Sequence, residues 1–243
     1  MKTMQLLKSP DTYRPGTYGG WRLKIEQPAK KLSSIRSYYS GLVEPPKESP
    51  TLYDKGGTLW MSITPCESES QYRHNEHAVG HVVVMGAGLG LLPYNLLLNP
   101  KVKTVTIIEK DRDMFDHWAE IVGLGKWPNW VGRVSIVHDD ARTWTGTCDT
   151  LIADIWPNIG DEKLEEDMDK FRANVKFKRM MCWGAEFSFI SWCMRNGLGM
   201  YTTTQCHAKT WGKEYGHYIW PGFTKDASNA AVTSVLPTGL HRR

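Results

Sequence analysis

The run Gly80-His-Val-Val-Val-Met-Gly-Ala-Gly-Leu-Gly90 leaves this chain little freedom in how it folds. Val82, Val83 and Val84 form a short β-branched stretch of the kind found in a parallel strand buried on both faces. Gly86, Gly88 and Gly90 follow at alternate positions. The backbone can turn sharply there, and a ligand can approach main-chain N–H groups with no Cβ in the way. Leu91-Leu-Pro-Tyr-Asn-Leu-Leu-Leu98 then reads as a helix with Pro93 in its first turn, where proline is tolerated. Strand, glycine turn and helix, in that order, open a doubly wound, nucleotide-binding α/β domain.

Three further strands follow in register, each with an acid at its C-terminal end. Lys103-Thr-Val-Thr-Ile-Ile-Glu109 ends in Glu109, about 20 residues past the turn, where this kind of fold sets a carboxylate on ribose hydroxyls. Arg133-Val-Ser-Ile-Val-His-Asp-Asp-Ala141 ends in Asp139 and Asp140, and Asp149-Thr-Leu-Ile-Ala-Asp-Ile-Trp-Pro157 carries Asp154. Open α/β sheets bind ligands at that edge. The dinucleotide fingerprint G-x-G-x-x-G requires a glycine at position 91, which is Leu, so a nicotinamide-dependent dehydrogenase is the least favoured reading.

In the order and spacing of "VVVMGAGLG", "VTIIEKD", "VSIVHDDA" and "DTLIADIWPNI", the chain resembles the class I S-adenosylmethionine-dependent methyltransferases, and within them the spermidine-synthase-like branch. The resemblance covers about residues 82–170. It implies that Gly86, Ala87, Gly88 and Gly90 cradle the methionine part of S-adenosylmethionine, and that Glu109, with Lys110 beside it, holds the ribose. It also implies that Asp140 faces the adenine amino group next to Ala141, and that Asp154 lies by the sulfonium and the substrate. Trp156 and Pro157 are candidates for an apolar wall of the substrate pocket. Tyr72, Glu69 and Glu76 fall where related enzymes place polar residues facing substrate and cofactor, although a solvated helix face accounts for that stretch as well.

Departures from the pattern narrow the reaction. Val84 replaces the acid that most methyltransferases of this class carry two residues before the first glycine, as in the spermidine-synthase branch. The polyamine enzymes also carry an Asp inside the turn, where this chain has Leu89, and a D-S-S-D motif, where it reads Asp154-Ile-Trp-Pro157. With two amine-handling acids absent, methyl transfer to a small nucleophilic substrate is favoured, with Asp154 as base or orienting group. Aminopropyl transfer from decarboxylated S-adenosylmethionine is the alternative, and a non-catalytic cofactor-fold binding protein is the third reading.

The expected architecture is α/β, with a doubly wound (Rossmann-like), mostly parallel sheet, helices on both faces and a small N-terminal β-hairpin appendage. Residues 1–78 form an N-terminal extension, 79–224 the S-adenosylmethionine-binding domain and 225–243 a loose tail. Trp21–Glu26 alternates like a strand, and Thr51 to Ser62 reads as a hairpin turning at Lys55-Gly56-Gly57. Asp161–Phe171 puts Leu164, Met168 and Phe171 on one helical stripe, Met180–Met194 reads as one buried helix, and 199–220 as two strands. The chain has no apolar run long enough for a membrane span and no signal-peptide pattern. Its five scattered cysteines read as reduced thiols, so the expected setting is the cytoplasm, without a metal site. A net charge of +4, spread along the chain, is no nucleic-acid footprint by itself. A homodimer is the assembly the polyamine-enzyme resemblance implies.

Overall fold

The structure is a computed structural model that describes residues 6–27, 38–39, 46–198 and 204–234. At its centre is a five-stranded parallel sheet. In chain order its strands are β5 (Gly80–Met85), β6 (Val102–Glu109), β7 (Val134–His138), β9 (Thr150–Ala153) and β11 (Arg179–Cys182). In space the order is β11-β9-β5-β6-β7, so the chain winds outward from β5 in one direction and then, from β9, in the other. In chain order α3 (Leu91–Leu98) links β5 to β6, α4 (Arg112–Ile121) links β6 to β7, and α5 (Leu164–Asn174) lies between β9 and β11. Val82, Val83 and Val84 are buried, as are Leu151 and Ile152 of β9, which is why these strands read as unbroken apolar runs. The register sets Met85 opposite Ile108 on one side and Ala153 on the other, so β5, β6 and β9 end at one edge. A separate pair of short strands, β8 (Gly146–Thr147) and β10 (Val175–Lys176), runs parallel beside the main sheet.

The N-terminal appendage is larger than a hairpin. It is a four-stranded antiparallel sheet of β1 (Gly16–Tyr18), β2 (Trp21–Glu26), β3 (Ser49–Tyr53) and β4 (Leu59–Ser62), in that spatial order. The Gly56-Gly57 turn joins β3 to β4 as the sequence predicts. Trp21 Nε1 donates to Asp111 Oδ1 at 2.8 Å, and the Gly20 N–H to Asp113 Oδ2 at 2.7 Å, which seats this sheet on the start of α4. Two short helices, α1 (Pro65–Ser70) and α2 (Tyr72–His77), carry the chain from there into β5.

The C-terminal third departs from expectation in three places. Met180–Met194 is not one helix: β11 completes the sheet, the chain turns at Gly184 (φ +76°), and α6 (Ala185–Arg195) begins. Of the expected hairpin over 199–220, residues 199–203 lie outside the described residues, and the helix α7 (Gln205–Tyr215) occupies most of the rest. Local chemistry explains the helix. The Thr204 side chain accepts the His207 N–H while the His207 ring accepts the Thr204 N–H, and Gly216 ends the helix at φ +72°. Ala208, Trp211 and Gly212 form its buried stripe. The edge of β11 is satisfied instead by the next segment, with Tyr218 N–H donating to Met180 O at 2.7 Å and Cys182 N–H to His217 Nε2 at 3.0 Å.

The third departure is the tail, which the sequence reading left loose from 225. Residues Phe223–Ser234 form α8, and 235–243 lie outside the described residues. Ala227, Ala230 and Ala231 are small and buried, so α8 can lie close against α6. Asp226 pins it, accepting from Arg73 Nε at 2.8 Å and from Trp220 Nε1 at 2.9 Å.

Candidate active site

The glycine turn is built by the strands beside it. Gly86 N–H donates to Ile108 O at 2.9 Å, and Asp154 N–H to Met85 O at 2.9 Å. Gly86 has φ +97°, and a Cβ there would collide with the Asp154 carbonyl oxygen, so no other residue fits between β5 and β9. Gly90, at φ +70°, precedes α3 and packs under the rings of Trp118 and Trp127. The N-terminal sheet and α4 cover the turn. Tyr13 donates its hydroxyl to Leu89 O at 2.8 Å, Leu89 N–H points at Met61 Sδ at 3.2 Å, and Trp118 Nε1 donates to Gly88 O at 3.2 Å.

Glu109, at the end of β6, braces this turn. Its Oε2 accepts from Ala87 N–H at 3.0 Å and its Oε1 from Asp111 N–H at 2.8 Å. Each oxygen keeps a further lone pair, so the half-buried carboxylate can still accept from hydroxyls. Lys110 is exposed, and its carbonyl meets His138 Nε2 at 3.1 Å. Beyond β7, Asp140 Oδ1 accepts from Arg142 N–H at 2.9 Å, while Asp139 Oδ1 accepts from Asp140 N–H at 2.8 Å. Both acids therefore shape the turn into buried Ala141.

Asp154 comes with partners the sequence reading missed. Gln71, buried between α1 and α2, donates Nε2 to Asp154 Oδ2 at 2.6 Å. Its Oε1 sits 2.9 Å from His74 Nδ1. An amide oxygen only accepts, so His74 carries its proton on Nδ1 and locks the Gln71 amide with its NH₂ group toward Asp154. Burial lowers the His74 pKa to about 4, so the ring is neutral at physiological pH. Glu67, in the first turn of α1, shares this cleft. Burial raises both carboxyl groups well above their ordinary range, Asp154's charge raises Glu67 further, and Gln71 opposes the rise at both. Both side chains are half-buried by area although densely surrounded by protein, as carboxylates are when water reaches them from one side of a narrow cleft.

Bland local chemistry hides this cluster in the sequence. Thr64-Pro65-Cys66-Glu67 reads as a helix start, and it is one: the Thr64 hydroxyl accepts Glu67 N–H at 3.2 Å. The neighbouring stretch is less solvated than its polarity suggests. Glu69 is 1% exposed, its Oε2 accepting Tyr39 N–H at 2.6 Å, and Trp183 Nε1 donates to Ser70 Oγ at 2.9 Å. Glu76 lies on the open side with Arg73 at 2.6 Å, and Tyr72 is half-buried beneath the Arg73 guanidinium.

Trp156 does not form a substrate wall. It is 5% exposed, its ring packs on Phe171, and its Nε1 donates to Asp167 Oδ2 at 3.1 Å. Asp167 in turn receives Arg142 through Nε at 2.9 Å and Nη2 at 2.8 Å, a bidentate pair. Trp156 thus belongs to a brace tying the segment after Asp154 to the turn after Asp140. Pro157 alone of that pair stays exposed.

Glycine turn, Glu109, Asp140 and Asp154 therefore stand along one sheet edge. The set suits S-adenosylmethionine: a turn with glycine at 86, 88 and 90 for the amino-acid part, carboxylates with unused lone pairs for ribose hydroxyls and an amino group, and anionic capacity for a sulfonium. Among the described residues no three or more His, Cys, Asp or Glu side chains gather as a metal site, and no helix is long and apolar enough to cross a membrane.

No family model matches the chain, and no curated protein matches it by sequence. Solved structures similar to it include spermidine synthase from Thermotoga maritima, at 15% identity and TM-score 0.39 over 68% of this chain. The M. jannaschii protein TYW2, solved in complex with AdoMet, is similar at 18% identity and TM-score 0.34 over 58%. A candidate RNA methyltransferase from Pyrococcus horikoshii is similar at 24% identity and TM-score 0.35 over 46%. This chain spans between 55% and 60% of the lengths of those three. Its own architecture is a doubly wound α/β fold, with β5 central, the winding reversed at β9 and a separate four-stranded antiparallel sheet at the N-terminus.

Proposed function

We propose that this chain is an S-adenosylmethionine-dependent transferase that moves a methyl group to a small nucleophilic acceptor. The observation that carries the reading is the Asp154–Glu67 pair, held by Gln71 at the end of β9 beside the glycine turn. S-adenosylmethionine, when bound, supplies an electrophilic methyl on a cationic sulfur. Gly86–Gly90, Glu109 and Asp140 hold it, and Asp154 and Glu67 do the remaining work. Two desolvated carboxyl groups in one cleft hold a proton that a single exposed carboxylate would release, so one of them accepts the acceptor's proton near neutral pH. The N-terminal sheet over the turn excludes water, and positioning supplies most of what an in-line displacement needs. The free state of all five cysteines favours a cytoplasmic setting.

A second reading survives on one observation. Position 157 lacks the second acid that aminopropyl transfer uses, but Glu67 brings a carboxylate to the same cleft from α1. Decarboxylated S-adenosylmethionine as donor, with an amine acceptor, would use the same pair.

Calorimetric titration of S-adenosylmethionine, its decarboxylated form and S-adenosylhomocysteine into wild type and Glu109→Ala separates these readings. Micromolar binding of S-adenosylmethionine that the variant loses supports methyl transfer. Preference for the decarboxylated form moves the chain to aminopropyl transfer. No binding of any of the three ends both and leaves a cofactor fold used for something else.

A further inference from the structure

Cations far apart in the sequence gather at the sheet edge opposite the candidate active site. Two open grooves, of about 320 Å³ and 470 Å³, meet at Lys178. The first is lined by Lys178, Arg179, Lys209, Lys213 and Tyr218, and no carboxylate lines it. The second adds Lys176 and Phe177 and contains one acid, Asp149, which is already bound by Lys178 Nζ at 2.7 Å and His81 N–H at 2.9 Å. Lys176, Lys209 and Lys213 are exposed, and among the described residues they make no ion pair. Five cations thus face one carboxylate, an excess equal to the +4 of the whole chain.

The grooves also hold aromatic faces. Arg179 lies over the Tyr218 ring at 4.9 Å and is fixed by donating Nη1 to His77 O at 2.9 Å. Phe177, half-buried, sits between the two exposed lysines 176 and 178. Lys209 and Lys213 stand one helical turn apart on α7, about 6 Å along its axis. A cationic track interleaved with aromatic rings is the arrangement that holds a single strand, with phosphates on the lysines and unpaired bases stacked on the rings. An acidic peptide would satisfy the lysines and leave the Phe177 ring unused.

We propose that this double groove binds a single-stranded nucleic acid through its phosphates, with Phe177 as the stacking face. The site is distinct from the candidate active site. It lies at the N-terminal ends of β9 and β11, whereas Asp154 follows the other end of β9, about 13 Å along the strand. Nothing in the proposal depends on the transferase reading.

The test is fluorescence anisotropy of a short labelled oligouridylate between about 50 and 200 mM salt. Each single-strand phosphate contact contributes about 0.7 to the salt slope, so Lys209→Ala with Lys213→Ala lowers it by about 1.4. Lys126→Ala with Lys225→Ala removes the same charge from exposed positions outside the grooves and leaves the slope unchanged. Phe177→Ala weakens binding about tenfold, as loss of one stacked base requires. These lysines are solvent-exposed, and unchanged melting temperatures confirm that the variants fold. The proposal is overturned by absence of binding at the lowest salt, by equal losses in the two double variants, by an unaffected Phe177→Ala, or by polyglutamate binding as tightly as the oligonucleotide.

Discussion

Glu67→Gln tests the acid pair without knowledge of any substrate. The helix start survives the substitution, because Thr64 accepts from the backbone N–H of residue 67 and not from its side chain. Gln has the shape of a protonated Glu, so near pH 4, below the ordinary Glu value, the two proteins should be almost equally stable. The sign for the wild type follows from the direction of the shifts. Both carboxyl groups titrate higher in the folded chain than in the unfolded one. Their stabilising contribution is complete below the unfolded values and drains away as the pH rises through the folded ones. Each tenfold change in proton affinity is worth about 1.4 kcal/mol. Crediting the pair with one such step, because water still reaches the cleft, makes Glu67→Gln more stable than wild type by about 1.4 kcal/mol at pH 8.5. Glu186, which burial raises to about 7, loses its own contribution over overlapping pH, but it is present in both proteins and cancels in the difference. Urea denaturation of both proteins at pH 4 and 8.5 measures this. A wild type that is equally or more stable than the variant at pH 8.5 would refute a desolvated, mutually repelling pair.

The same pair governs what the cofactor does to protons. At pH 7, S-adenosylmethionine should release a fraction of a proton on binding, since a cation favours ionised carboxylates, and S-adenosylhomocysteine, which lacks the sulfonium, should release less; calorimetry in buffers of different ionisation enthalpy reads the difference. Gly86→Ala should cost about 2 kcal/mol or more in denaturation, because φ +97° and the Asp154 carbonyl both oppose a Cβ. Arg73→Ala leaves buried Asp226 without its cation and should cost about 3 kcal/mol, with faster proteolysis of 217–234 as the local readout. Acid weakens the fold through the buried histidines. With pKa values lowered to about 4 at His74 and about 3 at His217, their contribution is present above the ordinary histidine pKa and is lost as the pH falls through the lowered values, so His217→Gln should flatten stability between pH 6 and 4.

Much of the central sheet was legible because parallel strands buried on both faces have no polar side to mask them. Val82–Val84, Thr104–Ile108 and Leu151–Ala153 announce themselves, and the acids that end them fall at one edge by register alone. The C-terminal third was not legible in that way. Its threonines at 202–204 carry a strand propensity, but Thr204 works as a helix cap and Gly216 as a helix stop, leaving exactly the span of α7 between them. The 3.6-residue stripe of Ala208, Trp211 and Tyr215 was available and lost to the β-prone run before it. For α8 the signal was weaker, because alanines that pack closely on α6 look the same in sequence as alanines in a tail.

The acid pair and the cationic groove escaped the sequence for a different reason, which bears on how such sites arise. Each residue of either cluster already has a sufficient local explanation. Glu67 opens a helix, Gln71 joins two helices, and Lys209 and Lys213 sit on a solvated helix face. Their chemistry comes from long-range placement: Gln71 meets Asp154 across 83 residues, and Lys178 lines one groove with Lys209 and Lys213 although β11 and α6 separate them in the chain. A strand-end acid such as Glu109 is different, because its position in the sheet dictates where it points. Residues fixed by the sheet are therefore readable one at a time, while those carried on the added helices acquire a role only once the sheet has set the distances between them. The consequence can be tested on α1 and α2: substitutions at Gln71 or His74 should change the proton affinity of Asp154 while leaving the sheet's stability core, Val82–Val84 and Leu151–Ile152, equally protected in hydrogen exchange.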